Sequence, residues 1–349
     1  MKRILTFCLF AFCFSARGAT IPESPPSSWN PGSFGFSSTT EYFTSTANYD
    51  TVRGSFNRLP SGNSFTTFET RAKARYAFAH AVSAYGGLGF AQSKASDTSV
   101  DKTNSNVTDF FVGANFQLVR RWWRVVPDFE MSLPLDAAKR FQTVPLTSEG
   151  VWSTRAGVFL FKPFKHLRFE SYLGFLYLGE GLSKRFLYSL LAESAFGGFT
   201  FGGGISGYES VLADEKTENE RTGTQALADA GSGRYWAYNP ALLEARGWLG
   251  FRADKAFTVR LGYAKTLNGV RTAEGSSILL SVAYNSPGDK SKGRAIREGL
   301  PVDRRGPEDS FQAEPETTDP ELFDQKNDPL VPKKNESLDD TEKILEKRN

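Results

Sequence analysis

Four charges stand two residues apart in the segment Phe68-Glu69-Thr70-Arg71-Ala72-Lys73-Ala74-Arg75-Tyr76. Successive side chains of an extended strand point to opposite faces. Glu69, Arg71, Lys73 and Arg75 therefore share one face, and Phe68, Ala72, Ala74, Tyr76 and Phe78 share the other. On a helix the same charges would scatter around the cylinder and leave no apolar stripe. Three cations in a row along a water-filled passage would favour anions and phosphates. The competing reading is structural: Arg and Glu of neighbouring strands pair into ion networks that fill a narrow interior.

The same alternation, followed along the chain, puts Asp128, Glu130, Arg155, Arg168, Glu170, Glu244, Arg246 and Arg260 on the face opposite the apolar one. Asp109, Glu193 and Arg252 follow them. Arg or Lys facing lipid at mid-bilayer costs roughly 2–4 kcal/mol, so these side chains belong inside, and with the first four they form the expected pore lining. Trp248 falls on the same inward face, where it either plugs the lumen or marks an error of phase.

Signs of catalysis are missing. His80 and His166 are the two histidines, both at predicted turns several strands apart, so no serine or other nucleophile gains a general base from them. No HExxH, GxSxG or phosphate-cradling loop carries weight, and Gly202, Gly203 and Gly204 sit inside a strand pattern, where glycine permits bending. No catalytic residue, cofactor or nucleic-acid partner is expected. Asp214, Glu215, Glu218 and Glu220 could attract a divalent cation, but they lack EF-hand spacing and read better as a solvated loop; no metal site is expected.

Twelve segments of alternating polarity carry these residues: 34–46, 65–78, 81–92, 107–119, 122–131, 151–161, 167–179, 187–195, 198–208, 242–252, 257–266 and 276–284. Most have the roughly nine to eleven residues a tilted membrane strand requires, and their number is even. Long polar connections (47–64, 93–106, 132–150 and 209–241) are expected after the first, third, fifth and ninth segments. Tight turns are expected near His80, Arg121, Pro163, Gly197 and Asp254. That asymmetry suits a barrel with short periplasmic turns and long outer loops, whereas a soluble Greek-key sandwich has no reason to follow it. In the longest connection Tyr235, Trp236 and Tyr238 could supply contact area if it folds inward.

At the start, Lys2 and Arg3 precede the apolar run Ile4 to Phe14 and the site Ala16-Arg17-Gly18, the pattern of a cleaved secretory signal at residues 1–18. Cys8 and Cys13 both lie in it, so the mature chain is expected to carry no thiol. Residues 19–32 are expected to form an N-terminal periplasmic segment and 33–285 the barrel. Residues 286–349, rich in Pro and charge and free of Tyr and Trp, are expected to form a disordered periplasmic tail. Trp122, Trp123, Trp152, Tyr263 and Tyr284 are expected as anchors at the membrane interface, with Tyr172 and Tyr177 in the same girdles.

The final strand, with Ile278, Leu280, Val282 and Tyr284 on one face, resembles the C-terminal assembly signal of outer-membrane proteins, although Tyr284 is not the chain end. In signal, strand pattern, loop asymmetry and final strand the chain resembles the broad class of bacterial outer-membrane β-barrels. The fold this implies is all-β, an antiparallel up-and-down transmembrane β-barrel of about twelve strands. The implied partners are outer-membrane lipids and the barrel-assembly machinery. Two functions stay open. One is a channel for small, anionic solutes; the other is a closed structural or interaction barrel whose outer loops or tail bind a periplasmic partner or the cell wall.

Overall fold

The structure, a computed structural model, describes residues 22–26, 29–120, 123–137, 142–164, 167–253 and 256–286. The signal segment 1–18, Trp122, His166 and the tail beyond Ser286 lie outside the described residues. Twelve long strands run in chain order: β1 (Phe34–Tyr49), β2 (Ser64–Ala79), β3 (Val82–Ser96), β4 (Asp101–Phe116), β5 (Trp123–Pro134) and β6 (Ser153–Pro163). They continue as β7 (Leu167–Leu178), β8 (Lys184–Phe196), β9 (Phe199–Leu212), β10 (Ala241–Arg252), β11 (Phe257–Val270) and β12 (Ala273–Asn285). Each pairs antiparallel with the next, and β12 pairs with β1 from Gly35↔Asn285 to Asn48↔Ala273, so the sheet closes on itself. Closure leaves no open edge, the condition for a sheet to stand in hydrocarbon. Two three-residue strands, Phe56–Arg58 and Leu118–Arg120, extend the ladders of β1 and β5.

The outer wall is apolar. Leu88, Val112, Phe129, Leu173, Leu190, Leu249, Leu261 and Ile278 all face outward and are exposed. Aromatic rings mark the end where the short turns lie, in the pairs Phe34 with Tyr284 (centroids 5.8 Å apart), Tyr76 with Phe78 (5.0 Å) and Phe199 with Phe251 (5.3 Å). Rings at this level sit between hydrocarbon and head groups. Trp123, Trp152, Tyr177, Tyr263 and Tyr284 stand on this outer face. Tyr172 does not: it is fully buried inside, its ring 4.6 Å from that of Phe159. The reason is register, since Tyr172 lies an even number of residues from inward Glu170.

One expected loop is a strand extension. In place of a long connection over 93–106, β3 and β4 stay paired to Ser96↔Asp101 and turn through 97–100. Asp97 Oδ1 accepts from the Ser99 and Val100 amides, both at 2.8 Å, and closes the turn. Polar residues on both faces above the membrane carry no apolar alternation, so the sequence pattern there reads as loop while the backbone ladder continues. The connection between β9 and β10 holds a helix, α1 (Glu218–Ala228), started by a capping box: Glu220 N–H donates to Thr217 Oγ1 and Thr217 N–H to Glu220 Oε2.

Glycines on the inner wall act as notches for rings. A Cβ on Gly113 would stand 2.3 Å from Tyr85 Cζ and 2.5 Å from the Phe129 carbonyl oxygen. Gly113→Ala is therefore expected to destabilise the barrel by about 1–3 kcal/mol through overpacking, read as a lower urea midpoint in detergent. An unchanged midpoint would contradict the notch. Gly202 serves Trp248 in the same way, with the added carbon 2.4 Å from the indole. It provides space for the ring.

Candidate functional site

Strand alternation leaves the charges of the expected lining at least partly buried on the inner face, except Arg252, which is exposed at the end of β10. What the tertiary structure adds is their pairing. On β2, β5 and β6, Arg71 binds Glu130, and Arg155 reaches Glu130 at 3.0 Å and Asp128 at 3.3 Å. The Tyr85 hydroxyl and the Asn115 amide donate to Asp128 at 2.8 and 2.6 Å, and the Arg71 guanidinium lies 3.6 Å from the Phe111 ring centre. Arg71, Glu130 and Arg155 line two cavities at once, one of about 30 Å³ with Lys73 and Arg75, the other of about 80 Å³ with Asp109, Glu149 and Leu187. These hold roughly one water and a few waters. The cluster is thus a clamp between two chambers.

A second cluster joins distant strands. Glu193 of β8 accepts from Arg168 of β7 and Arg260 of β11, both at 2.9 Å, and from Trp248 Nε1 at 3.0 Å. Trp248 does point inward, and the ring resting on Gly202 delivers its N–H to this carboxylate. Arg246 pairs with Glu244 on its own strand at 2.8 Å. Arg75 differs from its neighbours. Among the described residues it makes no ion pair, and its guanidinium lies 5.7 Å from the Tyr85 ring centre and 6.0 Å from that of Trp29.

Farther along the same strands the inner face is apolar. Val126, Phe159, Phe161, Tyr172, Leu176 and Leu187 are buried together inside the barrel. An apolar-out, polar-in rule does not foresee this, because β6 is apolar on both faces: Val158 and Leu160 outside, Phe159 and Phe161 inside.

Segments outside the strands enter the interior at both ends. On the outer side the β9–β10 connection folds inward and buries Ala228, Ala230, Tyr235 and Trp236 against Phe43, Phe65 and Leu146. Arg234 sits between Glu41 (3.3 Å) and Glu69 (3.5 Å), and the Tyr235 hydroxyl donates to Glu69. The Trp236 amide and indole N–H donate to Glu149, at 2.9 Å to its carboxylate and 2.8 Å to its carbonyl oxygen. Burial works to raise the Glu149 carboxyl, but Arg185 at 2.7 Å and Arg221 outweigh it and hold it below the usual range. The four loop carboxylates do not converge: Asp214 faces Arg221, Glu215 Lys184 and Glu218 Arg271, while Glu220 caps α1.

On the other side the segment expected to lie in the periplasm enters the barrel. Glu23 pairs with Lys73 at 2.6 Å and accepts from the Ser37 hydroxyl at 2.9 Å. The Ser24 hydroxyl donates to Glu170, Arg124 Nη1 donates to the Pro26 carbonyl at 2.5 Å, and Trp29 is buried. Burial raises the Glu23 carboxyl, yet Lys73, Arg75 and Ser37 more than offset this and bring it to about 2. A carboxylate lowered in this way holds its seat fully above its ordinary value near 4.5 and loses it as pH falls towards 2.

Alternation within the expected segments could not find Glu23, Glu149, Arg185 or Arg234, whereas Glu41 shares the inward face of β1 with Ser37 and Phe43 and is legible from it. For Arg185 a signal existed: extending the eighth strand two residues before Leu187 puts it on the inward face. The others depend on segments that return to the wall from far along the chain. His80 lies at a periplasmic turn.

No protein-family model matches the chain, and no curated protein does. Among solved structures, an outer-membrane channel from Pseudomonas putida F1 superposes with a TM-score of 0.58 at 10% identity, covering 76% of this chain and all of that one. The NanC porin matches at 13% identity over 70% of this chain and 98% of its own, with a TM-score of 0.38. OprD from Pseudomonas aeruginosa matches at 7% identity over 78% and 96%, with a TM-score of 0.34. The first shares the fold; the superpositions of the other two are too loose to argue from. Closure of twelve strands, an apolar outer wall with aromatic rings at its margin, a charged interior and this shared fold together make the chain a transmembrane β-barrel of the bacterial outer-membrane class.

Proposed function

We propose that the barrel is a channel for small anionic solutes, closed at rest by its inward-folded outer loop and its N-terminal segment. The observation that carries this reading is the charge balance of the cavity on the periplasmic side of the clamp. Its wall supplies Arg71, Lys73, Arg75 and Arg155 against Asp128 and Glu130, and the one further carboxylate there, Glu23, belongs to the inserted segment. An excess of fixed cations on the wall favours anions. Arg75, which makes no ion pair among the described residues and lies beside the Tyr85 and Trp29 rings, supports the same preference. The fold shared with the Pseudomonas putida channel supports a channel in general.

The test is reversal potential in a KCl gradient across planar bilayers. Lys73→Gln with Arg75→Gln removes two wall cations and leaves the clamp, so anion preference is expected to fall several-fold. Anion preference unchanged by the pair would refute this lining. The second reading is a closed structural barrel, favoured by the pairing of Glu130, Glu193 and Glu69 with Arg side chains. In that reading the outer loops, or the segment beyond residue 286, engage a periplasmic or cell-wall partner. A folded barrel that stays electrically silent would support it.

A further inference from the structure

The N-terminal segment brings two groups into the interior. One is a carboxylate, Glu23, on Lys73 and Ser37. The other is an aromatic ring, Trp29, buried in the same apolar cluster as Ala77, Val126, Phe161 and Tyr172. Between them stands Arg75, two residues beyond Lys73 on β2, facing the Trp29 ring. The surroundings of the two groups thus differ: Glu23 lines a cavity with Arg71, Lys73, Arg75 and Arg155, whereas Trp29 is buried with aromatic and aliphatic side chains, among which Arg124 lies 4.0 Å from the Phe161 ring centre.

We propose that these two surroundings together form a binding site for a small organic acid with an aromatic or aliphatic body, and that Glu23 and Trp29 occupy it at rest as a tethered stand-in for that ligand. The proposal rests on the interior being a solute path but needs no current to test it. A free acid would place its carboxylate on Lys73 and its body where the indole lies, and the segment would leave. A buried Lys–carboxylate pair is replaced by another of the same kind, so exchange leaves no charge unpaired, whereas simple withdrawal of the segment would leave Lys73 without a partner. A tether sets an effective concentration in the millimolar range for a short flexible chain, and this is what a free acid must exceed.

The decisive measurement is calorimetric titration of 3-phenylpropionate into the full chain purified in detergent, as wild type, Glu23→Ala and Glu23→Ala with Lys73→Met. Removing the tethered carboxylate is expected to tighten binding by about tenfold or more, and the Lys73 change to abolish the gain. Acetate, which lacks the apolar body, should bind Glu23→Ala at least about tenfold more weakly. Equal affinity of wild type and Glu23→Ala, or no binding by either, overturns the stand-in. Acetate binding as tightly as 3-phenylpropionate overturns the apolar half of the site. Bilayer recordings on the same samples separate the two readings. Tight binding by a silent barrel would sink the channel and keep the site; steady current with no effect of Glu23→Ala would do the reverse.

Discussion

Replacing Arg234, Tyr235 and Trp236 together by Ala is expected to raise single-channel conductance several-fold and to shift the barrel from mostly closed to mostly open. These three side chains hold the outer loop inside the barrel. Trp236 is 2% exposed and Tyr235 fully buried, and truncating a buried aromatic side chain costs about 3–5 kcal/mol. Arg234 neutralises Glu41 and Glu69, two buried carboxylates from adjacent strands. Without it they repel one another, and water must enter to solvate them. The paired strands beneath do not depend on the loop for their ladder, so the barrel should stay folded while its outer stop is lost. Conductance that stays at the wild-type level in a folded triple variant would place the limiting constriction lower down, at the clamp.

The clamp itself gives the second large effect. Glu130→Ala removes the carboxylate shared by Arg71 and Arg155 and leaves one buried and one partly buried guanidinium group with one fewer partner. Breaking a buried pair by deleting one member typically costs about 3–5 kcal/mol, chiefly the cost of the charge left behind. A drop of that size in unfolding free energy, measured by urea titration in detergent, is the expected outcome. Glu130→Gln keeps the shape and a hydrogen-bond acceptor and should cost less. If both variants unfolded like the wild type, the ion pairs would be solvated in solution, and the clamp would be no barrier between the chambers.

Much of the barrel is legible without coordinates, for a local reason. Side-chain direction in a strand alternates with a period of two, and a wall between lipid and a wet interior converts that geometry directly into residue type. Phe68 to Tyr76 shows its face assignment in nine residues, and the same rule orients Arg155, Arg168, Glu170 and Arg260. The rule fails where the contrast is missing. At Asp101–Asn106 both faces are polar, so strand reads as loop; around Phe159 and Phe161 both faces are apolar, so only the phase set by Arg155 marks the inner one.

The sequence by itself determined the strand number, the direction of most wall charges and the apolar exterior, because these follow from neighbours one and two residues away. Only the tertiary structure decided that Glu130 serves both Arg71 and Arg155, that Arg234 lies between Glu41 and Glu69, and that Glu23 sits on Lys73. Apart from Glu130 with Arg155, which are opposed on consecutive strands, these contacts join residues from strands distant in the chain or from segments that double back into the barrel. No local periodicity records such meetings; they exist only once the twelve strands have closed and brought distant parts of the chain against one wall.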